Sequence, residues 1–122
     1  MYHQLMMETY ESTCDRVIKL DPKIRFVVVI TDNGKPIVSR TRRGLVPIID
    51  RNDGEVVLTE AALITRMHRE FDGKLGKVSY VIIKREKIAV LIFSLGKELL
   101  YVSCDLGSNL CKLGEKILGK VG

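Results

Sequence analysis

The sequence predicts an α+β fold in which helices cover both faces of an antiparallel sheet, and three observations lead there. Three strand-like runs, Lys77 to Lys84, Ile88 to Ser94 and Glu98 to Cys104, follow one another with only Arg85-Glu86-Lys87 and Leu95-Gly96-Lys97 between them, the spacing of consecutive hairpins. Both faces of these runs are apolar. In the first, Val78, Tyr80 and Ile82 alternate with Val81 and Ile83; in the second, Ile88, Val90 and Ile92 alternate with Ala89, Leu91 and Phe93. An antiparallel sheet with one wet face alternates apolar with polar residues, so this pattern requires cover on both sides. Three stretches of helical periodicity supply the cover.

The first of these is Leu5 to Leu20, where Met7, Tyr10, Cys14, Val17 and Ile18 recur on one face and Glu8, Glu11, Asp15 and Lys19 lie elsewhere. Asp21-Pro22 stops it, because proline disfavours helical geometry in the residue before it and brings no N–H. The β-branched run Phe26 to Ile30, the turn Asp32-Asn33-Gly34-Lys35 and Pro36 to Ser39 read as a hairpin, with Pro36 at an edge or at the start of its strand. The segment Arg40 to Leu58 is expected as a long connection containing the turn cluster Arg51-Asn52-Asp53-Gly54. Thr59 is then placed as the cap of a second helix running to Phe71, with Leu63, Met67 and Phe71 as its core stripe and Asp72-Gly73 as its stop. After the meander, Leu106, Leu110, Leu113, Ile117 and Val121 describe a third helical stripe. The predicted order is α-β-β-α-β-β-β-α.

Composition sets the class. A chain of 122 residues with 46% hydrophobic and 29% charged residues fits one globular domain, residues 1–122. No apolar run approaches the roughly 18 residues of a membrane span, and the opening residues carry acids where a signal peptide needs basic and apolar blocks, so a cytoplasmic location is expected. Cys14, Cys104 and Cys111 are an odd set without framework spacing, which predicts free thiols. The net charge of +5 favours acidic partners without approaching the density of a committed nucleic-acid binder.

The element order, the Asp-Asn-Gly-Lys hairpin after the first helix, and the central helix ahead of a three-stranded meander resemble the roadblock/LC7 family within the profilin-like folds. The stretch Leu20-Asp21-Pro22-Lys23-Ile24-Arg25-Phe26 is similar to small uncharacterised archaeal proteins of this type. The resemblance implies a five-stranded antiparallel sheet in the order 2-1-5-4-3, with the central helix on one face and the terminal helices on the other. It further implies a non-enzymatic, dimeric scaffold or regulatory module, often beside small Ras-like GTPases. The long segment Arg40 to Leu58 departs from the family pattern.

Catalysis has little to work with, because a nucleophile, a base and an orienting group must converge and only His3 and His68 are imidazoles. No cofactor and no metal is expected. The cysteines lack zinc spacing, and Asp53, Gly54 and Glu60 match a calcium loop only in part, since its first and third ligands would be Ile49 and Arg51. Gly34, Gly44 and Gly54 are isolated, unlike phosphate-binding glycines. Arg40, Arg42 and Arg43, with Arg51, Arg66 and Arg69, read first as solvated edge and helix face. The competing readings are a dock for a small GTPase or another acidic protein and, more weakly given 6% aromatic residues, a nucleic-acid phosphate grip. A small-ligand sensor with a pocket between sheet and helix is a third reading. In the implied order the strand Lys77 to Lys84 is an apolar edge that needs a cover, which predicts a homodimer through Val78, Tyr80, Val81, Ile82 and Ile83, joined by Ala61, Thr65 and His68 of the central helix.

Overall fold

The computed structural model of the protein describes residues 2–107 and 109–121, with side chains described from residue 4 onward. The elements are α1 (Tyr2–Ile18), β1 (Ile24–Ile30), β2 (Pro36–Thr41), α2 (Arg51–Arg69), the single turn α3 (Asp72–Leu75), β3 (Val81–Lys84), β4 (Ile88–Leu95), β5 (Glu98–Asp105) and α4 (Leu110–Val121). The five strands form one antiparallel sheet in the order β2-β1-β5-β4-β3, as the resemblance implies.

Strict alternation divides the core in two. Val27, Val29, Leu91, Phe93, Leu100 and Val102 point to one face, where they meet Tyr10, Cys14 and Val17 of α1 and Leu113 and Ile117 of α4. Val28, Ile30, Val90, Ile92, Leu99 and Tyr101 point to the other, against Ala61 and Ala62 of α2. A fully buried Val, Leu or Ile contributes about 1.5–3 kcal/mol relative to exposure, so the inner strands β1, β5 and β4 carry most of the stabilising burial.

The hairpin tip fixes where α2 can lie. Thr31 organises the turn: its N–H donates to the Lys35 carbonyl (2.8 Å), its carbonyl accepts from Gly34 N–H (2.9 Å), and its hydroxyl accepts from the amides of Asn33 and Lys35. Gly34 takes φ +87°, and a Cβ there would sit 2.7 Å from the Leu58 carbonyl oxygen, so the tip lies directly against the α2 backbone.

Three expectations are corrected. The central helix begins at Arg51, eight residues before Thr59: Asp50 is its N-cap, its carboxylate accepting from Asp53 N–H at 2.8 Å, and the cluster expected as a turn is the first helical turn. Thr59 lies inside the helix, its hydroxyl donating to the Glu55 carbonyl. Asp72-Gly73, expected to end the helix, opens α3 instead. Residues 77–80 are not strand, so β3 is half the expected length. Tyr80 instead leans across to α4, where a Cβ on Gly114 would approach its ring to 2.8 Å, and its ring lies 5.6 Å from that of Phe93.

The buried face of α2 is also not the expected one. Leu63, Met67 and Phe71 are 49%, 64% and 52% exposed, whereas Ala61, Ala62 and Thr65 are buried and Val57 and Leu58 are half-buried beside them. The helix is apolar on two faces. Small side chains let its axis approach the Val- and Ile-rich sheet closely, and that packing selects the small-residue face.

Candidate functional site

The residues singled out by the sequence fall into an apolar group and a set of arginines. The first centres on the outer edge of the sheet. β3 pairs with β4 from Val81↔Ile92 to Lys84↔Ala89, and among the described residues no strand pairs its other edge. Val81, Ile82 and Ile83 are half-buried, Val81 and Ile83 toward α2 and Ile82 toward α4. On α2 the outward Leu63, Met67 and Phe71 are exposed, as are Leu75 and Val78 ahead of β3. An exposed apolar helix stripe and a free strand edge are both features that call for a cover.

The residues proposed from sequence for this surface divide. Val81, Ile82 and Ile83 lie on the edge strand, Val78 is exposed just before it, and His68 is exposed on α2. Ala61 and Thr65 are both buried against their own sheet, and the Thr65 hydroxyl donates to the Ala61 carbonyl at 2.9 Å. Tyr80 is held within the chain by Phe93, Gly114 and Glu115, and the hydrogen bond with Glu115, together with burial, raises its phenol above the ordinary value.

The arginines do not form one surface, Arg42 lying at the Asp105 end of the strands and Arg66 and Arg69 at the opposite end near Asn33 and Gly96, and much of their charge is tied down. Arg40 Nε donates to Asp15 Oδ1 at 2.7 Å, anchoring β2 to α1. Arg42 Nη1 donates to Asp105 Oδ2 at 2.7 Å and to the Pro22 carbonyl at 3.2 Å. The other Asp105 oxygen accepts from Arg25 Nη1 at 3.0 Å, and Arg25 Nη2 donates to the Val46 carbonyl at 3.1 Å. Two guanidiniums on one carboxylate hold Asp105 below the usual carboxylate range. Arg43 and Arg51 stand exposed, Arg51 with only a loose 3.9 Å approach to Glu55. Arg66 and Arg69 reach Asn33 Oδ1 and the Gly96 carbonyl at 3.4 Å, the weak limit of hydrogen bonding.

Arg25 was missed. The signal for it was a cation directly after Ile24 at the head of an apolar strand, since a charge buried in a sheet has to be paired. Its side chain is only 10% exposed.

No ligand chemistry emerges from the thiols. Cys14 and Cys104 are buried, and burial pushes both thiols up to about 11, far from the reactive thiolate range. Cys111 is exposed on α4. Among the described residues no group of three His, Cys, Asp or Glu is placed to hold a metal ion, and no helix is long and apolar enough to cross a membrane. The His3 imidazole lies outside the described side chains.

This arrangement of sheet and helices is the roadblock/LC7 fold. A Roadblock/LC7 domain from Streptomyces avermitilis superposes with a TM-score of 0.69 at 13% identity, over 91% of this chain and 90% of that one. The gliding protein MglB from Thermus thermophilus gives 0.71 at 13% identity, over 94% and 87%. An MglB described as having a tetrameric arrangement gives 0.68 at 13% identity, over 94% and 89%. No curated protein matches. Over residues 2–122 the sequence matches a family of unknown function, DUF6659, and the chain belongs to that family.

Proposed function

We propose that the chain, as one roadblock-like unit, is a non-enzymatic interaction module that forms a homodimer in the cytoplasm and serves as a scaffold or regulator, with a small Ras-like GTPase or another acidic protein as its partner. The observation that carries the reading is the free apolar edge of β3, in a chain that also leaves Leu63, Met67 and Phe71 of α2 exposed. Pairing β3 with its two-fold mate satisfies the outer N–H and C=O groups, and antiparallel packing of the two α2 helices covers the stripe. The tetrameric arrangement of one MglB supports self-association in this fold.

The partner surface follows from charge. Arg66 is exposed and Arg69 half-exposed toward the end of α2, so they are the cations an acidic partner meets first there, with the exposed Arg43 at the other end of the sheet, whereas Arg40 and Arg42 serve chiefly to hold the chain together. A nucleic-acid grip loses its basic row by the same pairings.

Light scattering at micromolar concentration reads the dimer directly. The expected result is twice the chain mass, maintained as salt rises because the interface is apolar. Proline at both Val81 and Ile82 is expected to yield a folded monomer, since an edge strand tolerates proline better than a central one. A wild-type monomer, or a dimer indifferent to both prolines, overturns the reading.

A further inference from the structure

One end of the sheet brings exposed apolar side chains and cations together. Cys104 of β5 pairs with Ile24 of β1 and with Ala89 of β4, and Ala89 pairs with Lys84 of β3, so these four residues form one row across the sheet. The Arg42 N–H donates to the Arg25 carbonyl at 2.7 Å and carries that row to the residue after β2. Beyond it lie Lys23 ahead of β1, the loop from Arg42 to Asp50, Leu106 after β5 and the turn Arg85-Glu86-Lys87 between β3 and β4. Five strands at about 4.8 Å spacing make this end about 20 Å wide, the scale of a surface and not of a small-ligand pocket.

The loop is pinned, yet its apolar side chains stand in water. Leu45 N–H donates to the Arg42 carbonyl at 3.1 Å, Arg25 Nη2 donates to the Val46 carbonyl at 3.1 Å, and Asp50 closes the loop by capping α2. Between these anchors Val46, Ile48 and Ile49 are 77%, 53% and 46% exposed. Single exposed apolar residues are ordinary, but three within four positions of an anchored loop call for an apolar neighbour. Around them Lys23, Arg43, Arg51, Lys84, Arg85 and Lys87 are all exposed. Of the acids at this end, Asp105 is matched by two guanidiniums and Asp50 is engaged by the Asp53 amide, which leaves Asp21, Asp53 and Glu86 against those cations.

From this juxtaposition we infer that the end of the sheet carrying Val46, Ile48 and Ile49 docks on an anionic lipid bilayer, the loop entering the boundary between headgroups and acyl chains while the surrounding cations meet lipid phosphates. Both halves of the surface are then matched. Nucleic acid would engage the cations and leave the apolar residues in water, and a protein interface excludes charge from its apolar core, whereas a bilayer presents an apolar layer directly beneath a negative one. The inference rests neither on self-association nor on a GTPase partner, because every group belongs to one end of one chain.

The test is co-sedimentation of the full chain with vesicles of phosphatidylcholine alone and of phosphatidylcholine mixed equally with phosphatidylglycerol. Binding to the anionic vesicles is expected to be at least about tenfold tighter than to the neutral ones, and to weaken as salt rises. Serine at Val46, Ile48 and Ile49 together should weaken it about tenfold, and so should serine at Arg85 and Lys87. Both variants should melt like the wild type, since all five side chains are exposed. The chain contains no tryptophan, so Ile48→Trp supplies a single reporter whose emission should shift to the blue on anionic vesicles. A chain left in the supernatant by both kinds of vesicle overturns the inference and gives the loop to a protein partner. Equal sedimentation with both, binding indifferent to the three loop serines, or an emission that stays put while the Ile48→Trp chain sediments overturns it as well.

Discussion

Asp105 takes a guanidinium on each oxygen, Arg25 at 3.0 Å and Arg42 at 2.7 Å, and through them it joins the start of β1, the end of β5 and the loop that leads to α2. Removing its charge leaves Arg25, almost fully enclosed, without its counter-ion. Asp105→Asn is therefore expected to cost about 1–3 kcal/mol, below the full penalty of a buried pair because Asp105 is itself 38% exposed on its side chain. The pH dependence has a definite sign. The folded carboxylate titrates below its unfolded value of about 3.9, so its contribution is fully present above that value and is lost as pH falls through the folded one. Thermal melts should show a constant gap between wild type and Asp105→Asn from about pH 5 to pH 7, closing below about pH 4. A gap that ignores pH would assign the effect to packing. The sequence displayed Arg25 and Asp105 as charges bounding apolar runs, but their meeting depends on the pairing of Ile24 with Cys104, a register that no single strand encodes.

At the scale of elements, what was readable follows from whether one physical preference acted alone. β1, β4 and β5 alternate between two buried faces, and their positions follow from that pattern. The turn at Gly34 was equally plain, since the positive φ and the contact with Leu58 both demand glycine. Gly34→Ala combines the strained backbone with a Cβ 2.7 Å from main-chain atoms that cannot swing away, and is expected to cost about 2–4 kcal/mol by denaturant unfolding. A loss below about 0.5 kcal/mol would mean that the hairpin tip stands off the helix. The α2 start was hidden because two preferences conflict there. Asn52-Asp53-Gly54 favours a turn, yet Asp50 capping Asp53 and the burial of Val57, Leu58 and Ala61 outweigh the weak helix propensity of Gly54. For β3 the apolar run continues back to Val78, but Tyr80 gains more by lying on Gly114 than by extending the ladder, and the strand stops.

For the molecule as a whole, the face of α2 that the sequence offered as core is the face left outside, and this inversion bears on assembly. A stripe as apolar as Leu63, Met67 and Phe71 can be read as core whether its cover comes from the same chain or from another, since periodicity reports amphipathicity and not the identity of the neighbour. Ala61, Ala62 and Thr65 already fill the space against the sheet, so the larger stripe has no place within the chain. Leu63→Glu together with Met67→Glu separates folding from assembly. Both side chains are about half or more exposed in the single chain, so the variant's own fold should lose no more than about 1 kcal/mol. In the proposed dimer the same changes bring four carboxylates, two from each copy, into an apolar seam where burying them unpaired is strongly unfavourable. Light scattering should then report a monomer whose circular dichroism matches the wild type. A dimer that survives both glutamates would place the seam elsewhere on the molecule, and a chain that unfolds would show that the stripe is packed within the protomer after all.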